Sequence, residues 1–166
     1  MKRDTRLYRL LNLLAAGNLE QAREARKAYE FPRNRLASYS WFGHVTGSGL
    51  VDEALGEAGA LRRAVEAGTK ITGGWGGRPK LVCAAALDSA AEPALQAIPW
   101  RSEVDGWLLV ARAVRAELAG DRPAALEQWR AFKALPLNKR LLGSHEPNLH
   151  LEAFAAWRIA ALAAAR

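Results

Sequence analysis

Two stretches of this chain, AGNLEQAREARKAYEFP at 16–32 and AGDRPAALEQWRAFKALP at 119–136, are variants of one pattern. That echo limits the fold more than any other feature. Aligned without gaps, Ala16/Ala119, Gly17/Gly120, Ala22/Ala125, Glu24/Glu127 and Ala28/Ala131 are identical. Asn18/Asp121, Lys27/Arg130 and Tyr29/Phe132 are conservative pairs, and each stretch closes on a proline. A small Gly-Asn or Gly-Asp turn opens a helix of small and aromatic residues, which stops at the proline. Helices joined by such short turns form hairpins, which bury one face and must stack on neighbours.

The rest of the chain reads the same way. Leu7, Leu10, Leu11 and Leu14 recur at i, i+3, i+4 and i+7, which predicts a helix over 3–16 with Arg3, Arg6 and Arg9 largely off its apolar stripe. A second helix is expected from Leu19 to about Phe31, and an aromatic-rich third over 35–46. GSG at 47–49 turns into a fourth, from Leu50 to about Ala67. After the loop GTKITGGWGGRPK, helix resumes near Leu81, followed by a short helix at 94–98 that Pro99 closes. Ser102 suits the N-cap of a helix at 103–119, and Pro123 the first turn of the next, which ends by Pro136. A last helix runs from about Pro147 to the C-terminus. Alanine and leucine dominate while β-branched residues are scarce, and no alternating run long enough for a strand occurs. The expected fold is all-α: stacked antiparallel helical hairpins, about eight helices, in one domain spanning 1–166 with a glycine-rich loop at about 68–80.

A third copy of the pattern lies in GLVDEALGEAGALRRAVEAG at 49–68, where Gly49 to Ala54 repeats the step from Gly17 to Ala22 and from Gly120 to Ala125. The first two copies are separated by close to three periods of ~34 residues, the tetratricopeptide length. These segments resemble the second helix of a tetratricopeptide repeat and the turn before it, over about half of the chain. In that family a Gly-Asp/Asn turn leads to a small residue five positions later, where two helices approach closely. The resemblance implies that role for Ala22 and Ala125, since a larger side chain would wedge a hairpin apart. The family's pattern for the first helix is only approximated by Trp107 and Leu108 and is not matched by 3–16. The number of repeats stays open.

Charge bears on partners. The net charge is +7, and the excess sits at the chain ends: nine Lys/Arg against four acids in 1–35, ten against seven in 101–166. A basic face attracts nucleic acid or an acidic protein, although these residues are scattered singly among acids. The single Cys83, in LVCAAAL, rules out an internal disulfide and reads as a small buried thiol. The start MKRDTRLYRLLNLLAAGN reads as a helix and not a signal peptide, and no window approaches the ~18–20 apolar residues of a membrane span. A soluble, cytoplasmic chain that does not enter a membrane is expected.

Few groups are arranged for chemistry. In HEPNLH, His145 and His150 are five apart, not the four that places two zinc ligands on one helical face, and Pro147 suits a helix start. TGSGL and TGGWGGRPK lack the spacing of a phosphate-binding loop. The second offers Trp75 on a flexible loop beside Arg78 and Lys80, and Trp and Arg are residue types common among interface anchors. Most of the six tryptophans are expected in the core. With no catalytic constellation, metal or cofactor expected, the sequence points to a non-catalytic protein–protein interaction module, of adaptor or immunity/inhibitor type, binding a partner protein or peptide. Its contact candidates are Arg6, Arg9, Trp75, Arg78, Lys80, His145 and His150. The alternatives are a nucleic-acid binder using the basic terminal helices, and a small-ligand-binding protein or enzyme built around the glycine loop and the His145–His150 segment.

Overall fold

In the computed structural model of the chain, the residues described are 5–29, 47–70, 78–97, 104–136, 139 and 146–164; for 78–79 and 146–150 only the backbone is described. The leucine stripe at the N-terminus forms α1 (Thr5–Ala15), with Leu7, Leu10, Leu11 and Leu14 all buried. Then follow α2 (Leu19–Lys27), the helical residues 47–54 as α3, α4 (Ala60–Thr69) and α5 (Arg78–Leu87). A 3-10 turn at Ser89–Ala91 leads into α6 (Glu92–Gln96), and α7 (Val104–Ala119), α8 (Arg122–Ala134) and α9 (Glu146–Ala164) complete the chain. The fold is all-helical, with about the eight helices expected and no strand among the described residues. Among those residues no helix is long and apolar enough to cross a membrane.

The echoed turns share one backbone geometry. Gly17 at φ +73° and Gly120 at φ +71° take the left-handed conformation that a residue with a Cβ avoids. At each, the glycine N–H bonds to the carbonyl three residues back, Leu14 or Glu117, at 3.1 Å. The next N–H bonds five residues back, Asn18 to Leu13 and Asp121 to Ala116, at 2.9 Å. These paired bonds satisfy carbonyls that a helix end would otherwise leave unmatched. Asp121 also accepts from the Ala124 N–H at 3.1 Å and so caps α8, whereas the Asn18 side chain makes no such bond. Ala22 and Ala125, the expected close-contact positions, are both fully buried.

The third copy of this turn is displaced from its expected place. Gly49 lies inside α3 and is buried, and the helix expected from Leu50 to Ala67 is split into α3 and α4. The break falls at Gly56, φ +99°, whose N–H bonds to the Glu53 carbonyl at 3.0 Å while that of Glu57 reaches Asp52 at 2.9 Å. Gly49 serves a different need. A Cβ there would lie 2.9 Å from the Ala64 Cβ and 3.0 Å from the Leu61 Cα, so α3 and α4 cross at hydrogen-for-side-chain range. The helix expected at 35–46 lies outside the described residues.

Packing runs from helix to helix around the molecule. Helix α4 packs on α5, α5 on α7, α7 on α8, α8 on α9, and α9 returns against α1, which pairs with α2. Helix α7 is enclosed round much of its circumference: Gly106, Trp107, Leu108, Val110, Ala111, Ala113, Val114 and Ala116 are buried, while Asp105 and Ala119 are exposed. Trp129, Phe132 and Phe154 are among the largest fully buried side chains. Trp129 meets Phe132 edge to face at 6.4 Å between ring centroids. Trp107 and Trp157 are buried as expected, while Trp41, Trp75 and Trp100 lie outside the described residues. Cys83 is a buried free thiol, and burial pushes its pKa up to about 12, far from the thiolate range in which cysteine reacts.

The two kinds of glycine respond differently to substitution. Gly120→Ala puts a methyl in open space at a left-handed φ, with an expected cost of about 1–2 kcal/mol that no second substitution recovers. At Gly47, which like Gly49 lies in α3 and has no room for a side chain, Gly47→Ala drives a Cβ into the Phe154 ring, with an expected cost of about 1–3 kcal/mol. Urea titration of the double variant Gly47→Ala/Phe154→Leu checks this assignment. The Gly47→Ala effect should shrink in the Phe154→Leu background, and strict additivity would contradict the contact.

Candidate functional site

Charged residues on the enclosed helix α7 need partners, because an ion held away from water without one is costly. Glu117 accepts from Arg158 Nε and Nη2 of α9 on its two oxygens, each at 2.7 Å, and from Trp129 Nε1 of α8 at 3.1 Å. The Glu117 and Arg158 side chains are only 9% and 14% exposed, so the pair is held with little screening by water. The Arg158 guanidinium also lies over the Trp157 ring, 4.8 Å from its centroid. On the other side of α7, Arg112 and Arg115 both grip Glu92 of α6, with closest contacts of 2.6 Å. The Arg112 hydrogen bonds, with the nearby Arg115, hold the Glu92 carboxyl below its ordinary value of 4.5 and outweigh burial, which acts the other way.

Arginines also finish the ends of neighbouring helices. Arg23 of α2 donates to Leu55 O after α3 at 3.2 Å, Arg115 to Ala85 O near the end of α5 at 2.7 Å, and Arg122 to Leu162 O near the end of α9 at 3.3 Å. A cation placed on such carbonyls meets both an unmatched acceptor and the negative end of the helix dipole. Arg26 adds a two-pronged pair with Asp52 of α3, at 2.7 and 3.1 Å. Lys133 of α8 pairs with Glu152 of α9. Much of the basic excess therefore joins helices to one another. None of these partnerships was legible in the sequence. The available signal was the set of charges Arg112, Arg115 and Glu117 in the second half of a helix whose other residues, Asp105 apart, are uncharged.

The sequence-derived contact candidates fall in different places. Arg6 and Arg9 are exposed on α1, where Thr5, Tyr8, Arg9, Asn12 and Leu13 border an open depression. Tyr8 and Leu13 are half-buried there. Lys80 is exposed in the first turn of α5, whose first residue is Arg78. Helix α5 packs on α4 and α7, whereas α1 packs on α2 and α9. His150 belongs to α9, so its helix lies against that of Arg6 and Arg9. Trp75 and His145 lie outside the described residues, as do the side chains of Arg78 and His150.

A second concavity, which sequence reasoning missed, opens where α3, α4, α7 and α9 meet, with a volume of about 220 Å³. Leu50, Ala54, Leu61 and Leu118 supply its apolar lining, with Gly59 at the turn. Glu53, Arg62, Glu117 and Arg158 supply its charges. The Glu53 carboxylate accepts the Gly59 and Leu61 N–H groups at 3.1 and 3.0 Å and so closes the N-terminus of α4. Among the described residues no group of three or more His, Cys, Asp or Glu is placed to hold a metal ion. No protein-family model matches the chain, and no curated protein or solved structure compared with it is similar to it.

Two measurements test these assignments. Glu117→Leu strands the Arg158 guanidinium and the Trp129 N–H, and is expected to cost about 3–5 kcal/mol in urea unfolding, with Glu117→Leu/Arg158→Leu recovering part of it. Equal losses in the single and double variants would contradict the pair. Because Glu92 titrates lower when folded than when unfolded, the unfolded chain binds more protons in the interval between the two values. The stability from the Glu92 clamp is therefore complete above about 4.5 and drains as pH falls through the lower, folded value. Glu92→Gln should lower stability at neutral pH and flatten this acid limb; an unchanged limb would contradict the clamp.

Proposed function

We propose that this chain is a non-catalytic protein-interaction module that binds a partner protein or peptide through the outer face of α1. The observation that carries the reading is the exposure of Arg6 and Arg9 beside half-buried Tyr8 and Leu13, on a helix whose opposite face is anchored by four buried leucines. Tyr and Arg are enriched where proteins meet, and a rigid helix loses little conformational entropy on binding. The cationic face suits an acidic partner, with charge complementarity steering the encounter. The likeness of 16–32 and 119–136 to tetratricopeptide segments supports the same class of role, and an adaptor or an immunity- or inhibitor-type protein falls within it. The nucleic-acid reading has less support. Arg23, Arg26, Arg112, Arg115, Arg122, Lys133 and Arg158 are engaged between helices or at helix ends, which disperses the positive charge instead of lining one groove.

The test is affinity capture from a nuclease-treated lysate at low and at physiological salt, with wild type and Arg9→Glu side by side. Arg9 is exposed, so charge reversal there should leave the melting temperature within a few degrees of wild type. The expected result is one protein captured by wild type and lost or weakened at least tenfold in Arg9→Glu. Capture of nucleic acid with a steep salt dependence, or equal capture by both chains, would contradict the reading.

A further inference from the structure

The depression on α1 lies opposite the buried leucines of that helix, and its charge has one sign. Thr5, Arg9 and Asn12 recur at i, i+4 and i+7, in line along the side away from Leu7, Leu10, Leu11 and Leu14. Tyr8 and Leu13 border that line on either side and are half-buried. A space of about 500 Å³ lies over these five side chains, and the surface facing it is mostly apolar. Among the described residues lining it the one charge is Arg9, which is exposed and forms no ion pair with another described residue. A visitor meets apolar flanks and an uncompensated guanidinium, so its complement is an apolar surface that carries a carboxylate.

The backbone of the occupant is constrained as well. Within α1 the main-chain groups bond to one another, and no strand among the described residues offers an edge to an extended peptide. An extended segment laid on Tyr8 and Leu13 would turn its own N–H and C=O groups toward apolar surface, where unpaired polar groups are costly. A helix carries its hydrogen bonds within itself and avoids that cost. The spacing agrees. From Thr5 to Leu13 the lining runs for about 12 Å, a little over two turns, at the periodicity by which two helices pack ridge into groove.

We infer that the occupant of this depression is an amphipathic helix of the partner, its apolar stripe laid on Tyr8 and Leu13 and a carboxylate at the edge of that stripe paired with Arg9. The inference rests on the reading of the chain as an interaction module that uses the outer face of α1, and names the form and chemistry of the partner's contacting segment. The probes are three alanine-rich peptides of about 16 residues, long enough to hold a helix. One carries leucines and glutamates along a single face. A second has glutamine in place of each glutamate, and a third is the first with a helix-breaking proline at its centre. Binding is followed by the backbone amide NMR signals of the chain. The glutamate peptide should give saturable shifts centred on Tyr8, Arg9, Asn12 and Leu13. The glutamine peptide should bind about two- to fivefold more weakly, the span of an exposed ion pair. The proline peptide should bind at least about tenfold more weakly. Arg9→Gln should erase the difference between the glutamate and glutamine peptides. Asn12→Trp should abolish binding by holding the incoming helix off the surface. Both positions are exposed, so these variants should keep the fold. Absence of saturable shifts at these amides, or equal affinity of the glutamate peptide and either of the others, would overturn the inference. Arg9-dependent capture of a protein would survive that outcome, so loss of the helical partner and loss of the interaction reading are distinguishable.

Discussion

Much of this fold is referred to the enclosure of α7. Its buried positions run round much of its circumference, with α5, α6 and α8 packed against it. A helix so enclosed keeps only a narrow exposed stripe, on which Asp105 and Ala119 lie and Arg112 is partly exposed. Arg112, Arg115 and Glu117 are therefore satisfied by neighbours, and each partnership fixes another element. Glu92 positions α6, the Ala85 carbonyl positions the end of α5, and Arg158 positions α9. Hydrophobic packing brings these helices together, and the little-exposed Glu117–Arg158 pair ties α7 to α9, where leaving either ion alone would be costly.

Arginine is used throughout as a connector more than as a bare surface charge. The guanidinium offers several donors in one plane, so it can bridge a carboxylate and a helix-terminal carbonyl at once. Arg115 does this with Glu92 and Ala85, and Arg26 joins Asp52 to the Tyr29 carbonyl just beyond α2. Among the described residues, much of the positive charge is thereby spent between helices. The exposed cations that remain, such as Arg9 and Lys80, sit on different helices.

What could be read in the sequence was local. The stripe of Leu7, Leu10, Leu11 and Leu14 has helical period and one buried face, so α1 and the outward placement of Arg6 and Arg9 followed from spacing alone. Gly17-Asn18 and Gly120-Asp121 announced their turns because glycine and a short polar residue are the chemistry such turns need. The turn at Gly56-Glu57 has the same backbone but no such second residue, and Gly49, a close-packing glycine inside a helix, imitated its spacing. The return of α9 onto α1, the Glu117–Arg158 pair and the cleft beside it depend on contacts between residues far apart in the chain. No periodicity encodes those. Their one trace was the cluster of Arg112, Arg115 and Glu117 on a largely apolar α7.

The helices differ in how deeply each depends on the others, and native-state hydrogen exchange measures that difference residue by residue. If α7 is the element on which the rest is assembled, the amides of Val110 to Val114 should exchange only through global unfolding. Those of α2, with one buried side chain, Ala22, should open at lower free energy. Exchange of the α7 amides as fast as those of α2 would contradict the central place of that helix.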